Sequence, residues 1–212
     1  MKIFTFLPLF LMSCICLSQS KKFSPGYFVN QSGDTVKGFL LLSNPNQLIS
    51  FKFKNESSAN NIKSVSFDSC RSLAVNKEYF VNWTGTRGMA YVDNIDLEVI
   101  NADVKQTGKI PLKLLYKGIK FSLYIYQDKL NHFFMEQNNV ITELAISYSF
   151  LTDWEKKFYV VNPPTYLVTP TYRLQIISAM GGTLRRKQRL LIESTDLEIR
   201  PMVKLFKALN KN

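Results

Sequence analysis

Three cysteines, a single histidine and no long apolar run: these scarcities exclude more than the abundances of this chain assert. Cys14 and Cys16 fall among the first twenty residues, so a chain processed beyond them keeps Cys70 alone and has no disulfide framework. Cys70 stands in a strand-like context and reads as a small buried apolar residue, not a nucleophile. With His132 the only histidine, the usual zinc sites lack a second imidazole. A Ser-His-Asp hydrolase needs only one histidine, but no G-x-S-x-G elbow nominates a serine. Set between Asn131 and Phe133-Phe134 in an expected strand, His132 reads as a structural or surface residue. Gly-rich phosphate loops are absent, and no cofactor or metal is expected; the acidic group Asp93, Asp96, Glu98 and Asp103 offers oxygen ligands for a weak cation site but lacks EF-hand spacing. The apolar run Ile3 to Leu11 is far shorter than the ~20 residues a membrane-spanning helix needs, and no later stretch is longer.

That short run is nevertheless informative. Met1-Lys2 carries one positive charge, Ile3 to Leu11 is almost wholly apolar, and small and polar residues follow through Ser20. This is the order of a secretory signal peptide, assigned here to residues 1–18 with cleavage between 18 and 20. Cleavage after Ser18 places small residues at the last position and two before it. The alternative is lipidation at Cys14, because Leu11-Met12-Ser13-Cys14 resembles a lipobox, with Met12 an unusual occupant. Either way the expectation is export, to the periplasm, the envelope or the extracellular space.

About 190 residues remain, enough for one good core. The apolar fraction of 46% and aromatic fraction of 13% fit a packed globule. Lys and Arg number 27 against 16 Asp and Glu, giving a net charge of +11. Outside the cytoplasm such a surface finds anionic envelope polymers and lipid phosphates as partners, and a protein partner stays open. No sequence-specific recognition of nucleic acid is expected.

Along residues 21–170 the periodicity is that of strands. Tyr27 to Asn30 and Thr35 to Leu42 flank a Gln31-Ser32-Gly33-Asp34 turn and read as a hairpin. Gly33 supplies the positive φ that a tight turn tolerates, and Gly33, Asp34 and Gly38 are taken as structural. Leu48 to Lys54 alternates as a half-buried strand should. Glu78 to Trp83 continues the pattern, Thr84 to Gly88 breaks it, and Lys105 to Lys109 reads as a loop. Pro111 to Tyr116 fits a short helix or a strand. Lys120 to Gln127 and Asn131 to Gln137 form a second hairpin about Asp128-Lys129. Within it Phe121 faces opposite Tyr124 and Tyr126, so one aromatic subset belongs to the core. From 171 to 212 the texture turns helical. Tyr172, Ile176 and Ala179 suggest a helix closed by Gly181-Gly182. Thr195 and Glu198 match a capping box, and Met202, Leu205, Phe206 and Leu209 share one helical face. Pro201 then marks a kink or the true start of that helix. The expected fold is mainly β, antiparallel, with one or two C-terminal helices packed on the sheet.

Two charged groups are candidate sites. Asp93, Asp96, Glu98 and Asp103 offer paired carboxylates for hydrolysis of an envelope polymer, Asp96 and Glu98 sharing a face if the segment is a strand. Ordinary solvated residues are the plainer reading. Arg185, Arg186, Lys187 and Arg189 are the densest basic stretch and the best anion-contact candidate, against the plainer reading of a solvated loop.

The segment Gly26-Tyr27-Phe28-Val29-Asn30-Gln31-Ser32-Gly33-Asp34-Thr35-Val36-Lys37-Gly38 resembles the opening of a group of uncharacterised secreted proteins of Bacteroidetes. These begin their mature part with a G-Y-hydrophobic-x-x-x-x-G-D-T-hydrophobic-x-G segment. Gly118 to Asp128, Phe133-Phe134 and Glu143-Leu144 are similar to that group's mid-region. The resemblance implies export and a β-rich module. It brings no activity, so no catalytic residue is carried over, and Thr35 and Lys37 are left as strand residues on a solvated face. The function expected is a non-enzymatic binding or structural module, with the hydrolase and the basic anion binder as alternatives.

Overall fold

The computed structural model describes residues 22–46, 48–89, 91–92, 99–100, 104–152, 154, 157, 166–181 and 184–211. Residues 1–21, with Cys14 and Cys16, and the carboxylates Asp93, Asp96, Glu98 and Asp103 lie outside the described residues.

The fold is a ten-stranded antiparallel sheet with three helices near the C-terminus among the described residues. Its strands are β1 (Ser24–Asn30), β2 (Thr35–Leu42), β3 (Ser50–Lys54), β4 (Lys63–Ser66), β5 (Cys70–Val75), β6 (Glu78–Gly88), β9 (Lys105–Tyr116), β10 (Ser122–Gln127), β11 (Asn131–Gln137) and β12 (Val140–Leu144). They lie in the order β12-β11-β10-β9-β6-β5-β1-β2-β3-β4. Two small ribbons stand apart, β7 (Tyr91–Val92) with β8 (Val99–Ile100), and β13 (Ser147–Phe150) with β14 (Tyr166–Thr169). The helices are α1 (Thr171–Met180), α2 (Arg186–Glu193) and α3 (Ile199–Leu209).

Both expected hairpins form. Gly33 closes the first with φ of 98°, and the Asn30 amide donates to the Asp34 carboxylate at 3.0 Å. Gly38 lies inside β2, not in the turn. A Cβ there would meet the Phe53 ring at 2.5 Å, so its bare backbone is what lets that ring lie across the strand.

Four local expectations are corrected. Thr84 to Gly88 does not break β6, and Lys105 to Lys109 is no loop. The two segments pair from Phe80↔Lys113 to Gly88↔Lys105 as one long ribbon. Its polar composition reflects a solvated tip, where the Thr86 and Thr107 hydroxyls bond at 2.7 Å. Thr195 does not cap α3. Its hydroxyl donates to the Leu191 carbonyl at 2.6 Å, and the helix starts at Ile199 with Pro201 in its first turn, where a missing N–H costs nothing. Arg186 to Glu193 is helical instead of a loop, which makes three helices where one or two were expected.

Two opposite curls organise the sheet. Call the side bearing Phe28 and the helices the back, and the other the front. In strands β1 to β6 the back-facing residues Phe28, Leu40, Phe51, Phe53, Leu73, Val75 and Phe80 form one buried cluster with Cys70 at the start of β5 and with Leu48 and Phe67 from neighbouring segments. The Phe28 ring reaches those of Phe51 and Phe53 across β2 at 5.3 Å, so this half closes toward its back. In strands β6 to β12 the curl reverses. Trp83 of β6 meets Phe134 of β11 at 4.9 Å between ring centroids, although β9 and β10 lie between them. In a flat sheet three strand spacings would separate those strands by roughly 14 Å. The front of this half is therefore concave, enclosing Ile110, Leu112, Tyr124 and Phe134. Its convex back carries Leu123, Ile125, Phe133 and Met135, covered by Tyr172 and Ile176 of α1, Ile192 of α2, and Met202, Leu205, Phe206 and Leu209 of α3.

Candidate functional site

The front of the first half is the convex side of its curl, and alternation along the strands decides what it displays. β1 presents Pro25, Tyr27 and Val29; β2 presents Thr35, Lys37, Phe39 and Leu41; β3 presents Ser50, Lys52 and Lys54. Ser64 and Ser66 continue this face on β4, Ser72 and Ala74 on β5, Tyr79 and Val81 on β6. No carboxylate occurs among these residues. Lys37 and Lys52 are exposed and enter no ion pair among the described residues, whereas Lys54 sits over the Phe23 ring at 4.9 Å and donates to the Ser57 carbonyl. Glu78, the nearest strand carboxylate, faces the back with Lys113. An exposed Tyr27 pairs directly with Lys37 on one side and Ala74 on the other.

The second concentration of charge is at the mouth of the concave half. Arg87 of β6 is buried, 7% exposed. Its guanidinium donates to Gln106 Oε1 at 2.7 Å, lies 3.6 Å from Asp128 Oδ2 and stacks over the Tyr126 ring at 4.7 Å. His132 Nε2 is 3.2 Å from Asp128 Oδ1, and His132 Nδ1 is 3.1 Å from Glu143 Oε1. Glu143 Oε2 accepts the Gly88 N–H at 2.8 Å. That last bond joins β6 to β12, strands that a flat sheet would hold roughly 19 Å apart. The cluster is thus a clasp across the mouth of the curl, built from the end of β6, the start of β9, the β10–β11 turn, β11 and β12. A cavity of about 250 Å³ opens beside it, lined by Gly88, Asn131, His132, Glu143, Tyr148 and Leu197 among others.

The clasp is poorly suited to proton transfer. A base or nucleophile needs a free lone pair, yet each ring nitrogen of His132 already has a carboxylate oxygen as its hydrogen-bond partner. Cys70 is equally unsuited, because burial pushes its thiol up, away from the reactive thiolate, with only a partial offset from the Ser69 hydroxyl. At the other end of the concave face, burial works against ionisation of Glu136. Hydrogen bonds from Tyr124, Lys117 and Ser122 outweigh that burial and hold its carboxyl below the usual range. Burial and the same carboxylate push the Tyr124 phenol well up.

The basic stretch of the sequence lies elsewhere. Arg185 precedes α2, Arg186 and Lys187 occupy its first turn without any acidic residue, and all three are exposed. Arg189 pairs with Glu193 at 3.1 Å on the solvated surface, a contact of little energetic consequence. Nothing in the sequence assigned Arg87, Gln106, Asp128 or Glu143 a functional role, although Asp128 and Glu143 fall in the segments that carry the resemblance. Only the proximity of Asp128 to His132, four residues apart across a hairpin turn, was open to inference. Asn82, Asn30 and Asn55 each begin an N-x-S/T pattern, but the Asn82 amide is spent on the carbonyls of Phe67 and Cys70. No family model, no curated protein and no solved structure matches this chain.

Proposed function

We propose that this chain is an exported, non-enzymatic binding module of the cell envelope that attaches to anionic polymers or lipid phosphates through the front of its first half. The observation that carries this reading is the carboxylate-free face spanning β1 to β6, with Lys37 and Lys52 exposed and unpaired among the described residues. A face of one charge sign concentrates anions, and a net charge of +11 steers them there. The signal-peptide pattern and the resemblance of Gly26 to Gly38 to secreted proteins support export. The engagement of both His132 nitrogens and the burial of Cys70 favour binding over catalysis.

A second reading places the contact at Arg185, Arg186 and Lys187, because they stand exposed at the start of α2 with no acidic residue in that turn. Retention on immobilised heparin across a salt gradient separates the two. The doubly substituted K37E/K52E protein is expected to elute at clearly lower salt than the parent, while R185E/R186E/K187E elutes near it. The reverse order moves the site to α2, and no retention of the parent at low salt removes the anion-binding reading altogether.

A further inference from the structure

Building on that reading, we infer that the polymer fitted by the front face is an acidic polysaccharide, held by sugar stacking at Tyr27 as well as by lysine. The argument rests on one row across four strands. Tyr79 of β6, Ala74 of β5, Tyr27 of β1 and Lys37 of β2 are consecutive cross-strand partners. Two strand spacings, roughly 9.6 Å, separate the two tyrosines, with only the methyl group of Ala74 between them. The row therefore sets the small Ala74 side chain between two tyrosines, with Lys37 beyond Tyr27. Tyr27 is 36% exposed, a large amount for an aromatic on a packed sheet.

The next rows extend the pattern. Pro25, Phe39 and Lys54 are aligned in one, and Leu41, Lys52 and Ser64 in the next. Lysine thus recurs beside an apolar or aromatic neighbour three times on this face. A polymer of phosphates alone has charge but no apolar surface, and would leave Tyr27, Phe39 and Leu41 unused. A pyranose ring carries C–H groups that lie flat on a tyrosine or an alanine, and a uronate carboxylate on the same ring lies within reach of a neighbouring lysine. Hydroxyls at the rim, from Thr35, Ser50, Ser64 and Ser66, match the remaining sugar hydroxyls. Single-stranded nucleic acid also combines π-faces with charge, and becomes an outcome of the test.

The experiment measures binding of the full chain to three probes at equal charge and salt: alginate oligomers, inorganic polyphosphate and an oligothymidylate. The parent is expected to prefer alginate over polyphosphate by about ten-fold or more. Y27A, and independently A74W, which puts an indole between the two tyrosines, are expected to abolish that preference and leave polyphosphate binding unchanged. Circular dichroism and thermal melting establish that each variant folds; because A74W adds bulk where Y27A removes it, at least one reports even if the other is unstable. Equal affinity for alginate and polyphosphate, or a preference that survives in the folded variants, overturns the inference while leaving the anion-binding reading intact. Tighter binding of oligothymidylate than alginate replaces polysaccharide by nucleic acid. Failure of the parent to bind any of the three overturns the anion-binding reading itself.

Discussion

The two halves of the sheet solve the same problem in opposite ways. The first half curls toward its back and buries one face, with Leu48 and Phe67 from adjoining segments completing the core. The second half curls toward its front and buries both faces, one inside its own concavity and the other beneath three helices. In both, a cross-strand pair of glycines leaves room for an aromatic ring against the backbone. Gly26 and Gly38 are partners, with the Phe53 ring over Gly38; Gly85 and Gly108 are partners, with the Trp83 indole over Gly85. A bare backbone beneath a ring lets a sheet bend tightly there. The difference is in what secures the bend: an apolar cluster joined by amide-to-carbonyl hydrogen bonds from Gln31 and Asn82 in the first half, an ionic clasp in the second.

That contrast can be broken experimentally, and the largest effect is expected at the clasp. H132A removes the ring between two partly buried carboxylates and leaves them facing each other, at a cost of about 3 kcal/mol. Urea unfolding measures it, and a loss below about 1 kcal/mol would mean that the clasp does not secure the second curl. Next come the glycines. In G38A the new methyl group would crowd both the Phe53 ring and the Lys54 carbonyl, backbone that cannot swing aside, so a loss of about 2 kcal/mol is expected. In G85A the three nearest atoms all belong to the Trp83 side chain, so a smaller loss of about 1 kcal/mol is expected as the indole moves. Equal costs in the same unfolding assay would erase the distinction drawn between the halves.

The smallest effect is electrostatic. The folded-state carboxyl of Glu136 lies below its unfolded value, so its contribution is present above the unfolded value of about 4.3 and is lost as the pH falls through the folded one. E136Q is accordingly expected to be less stable than the parent by about 1 kcal/mol at neutral pH, with the gap closing under acid. Unfolding curves at several pH values test it, and a gap that widens on acidification would reverse the assigned direction.

How legible each half was in the sequence follows from the same physics. Leu48 to Lys54 alternates because one face of β3 is solvated, and Gly33 marks its hairpin because only a positive φ closes that turn. The run Ser122 to Gln127 is recognisable as a strand, but its division between two cores is not, because a strand buried on both faces shows no alternation. The helix bearing Met202, Leu205, Phe206 and Leu209 was readable from its single apolar stripe, and all four are buried. The ribbon of β6 and β9 was hidden because Thr86, Arg87, Gln106 and Thr107 look like a loop when both faces of a tip are polar. The clasp was hidden for another reason. Its members come from five separate segments, and apart from the single histidine none is unusual until curvature brings them together. The carboxylates suspected around Asp96 and Glu98 lie outside the described residues.

The indole lying over Gly85 also makes the second curl optically visible. The chain has two tryptophans, and Trp154 is 66% exposed whereas Trp83 is partly buried against Phe134. With Trp154 replaced by phenylalanine, the emission of the remaining indole becomes a gauge of sheet curvature. Its wavelength and its quenching by small solutes would follow, in real time, whether a bound polymer on the front of the first half straightens or tightens the bend of the second.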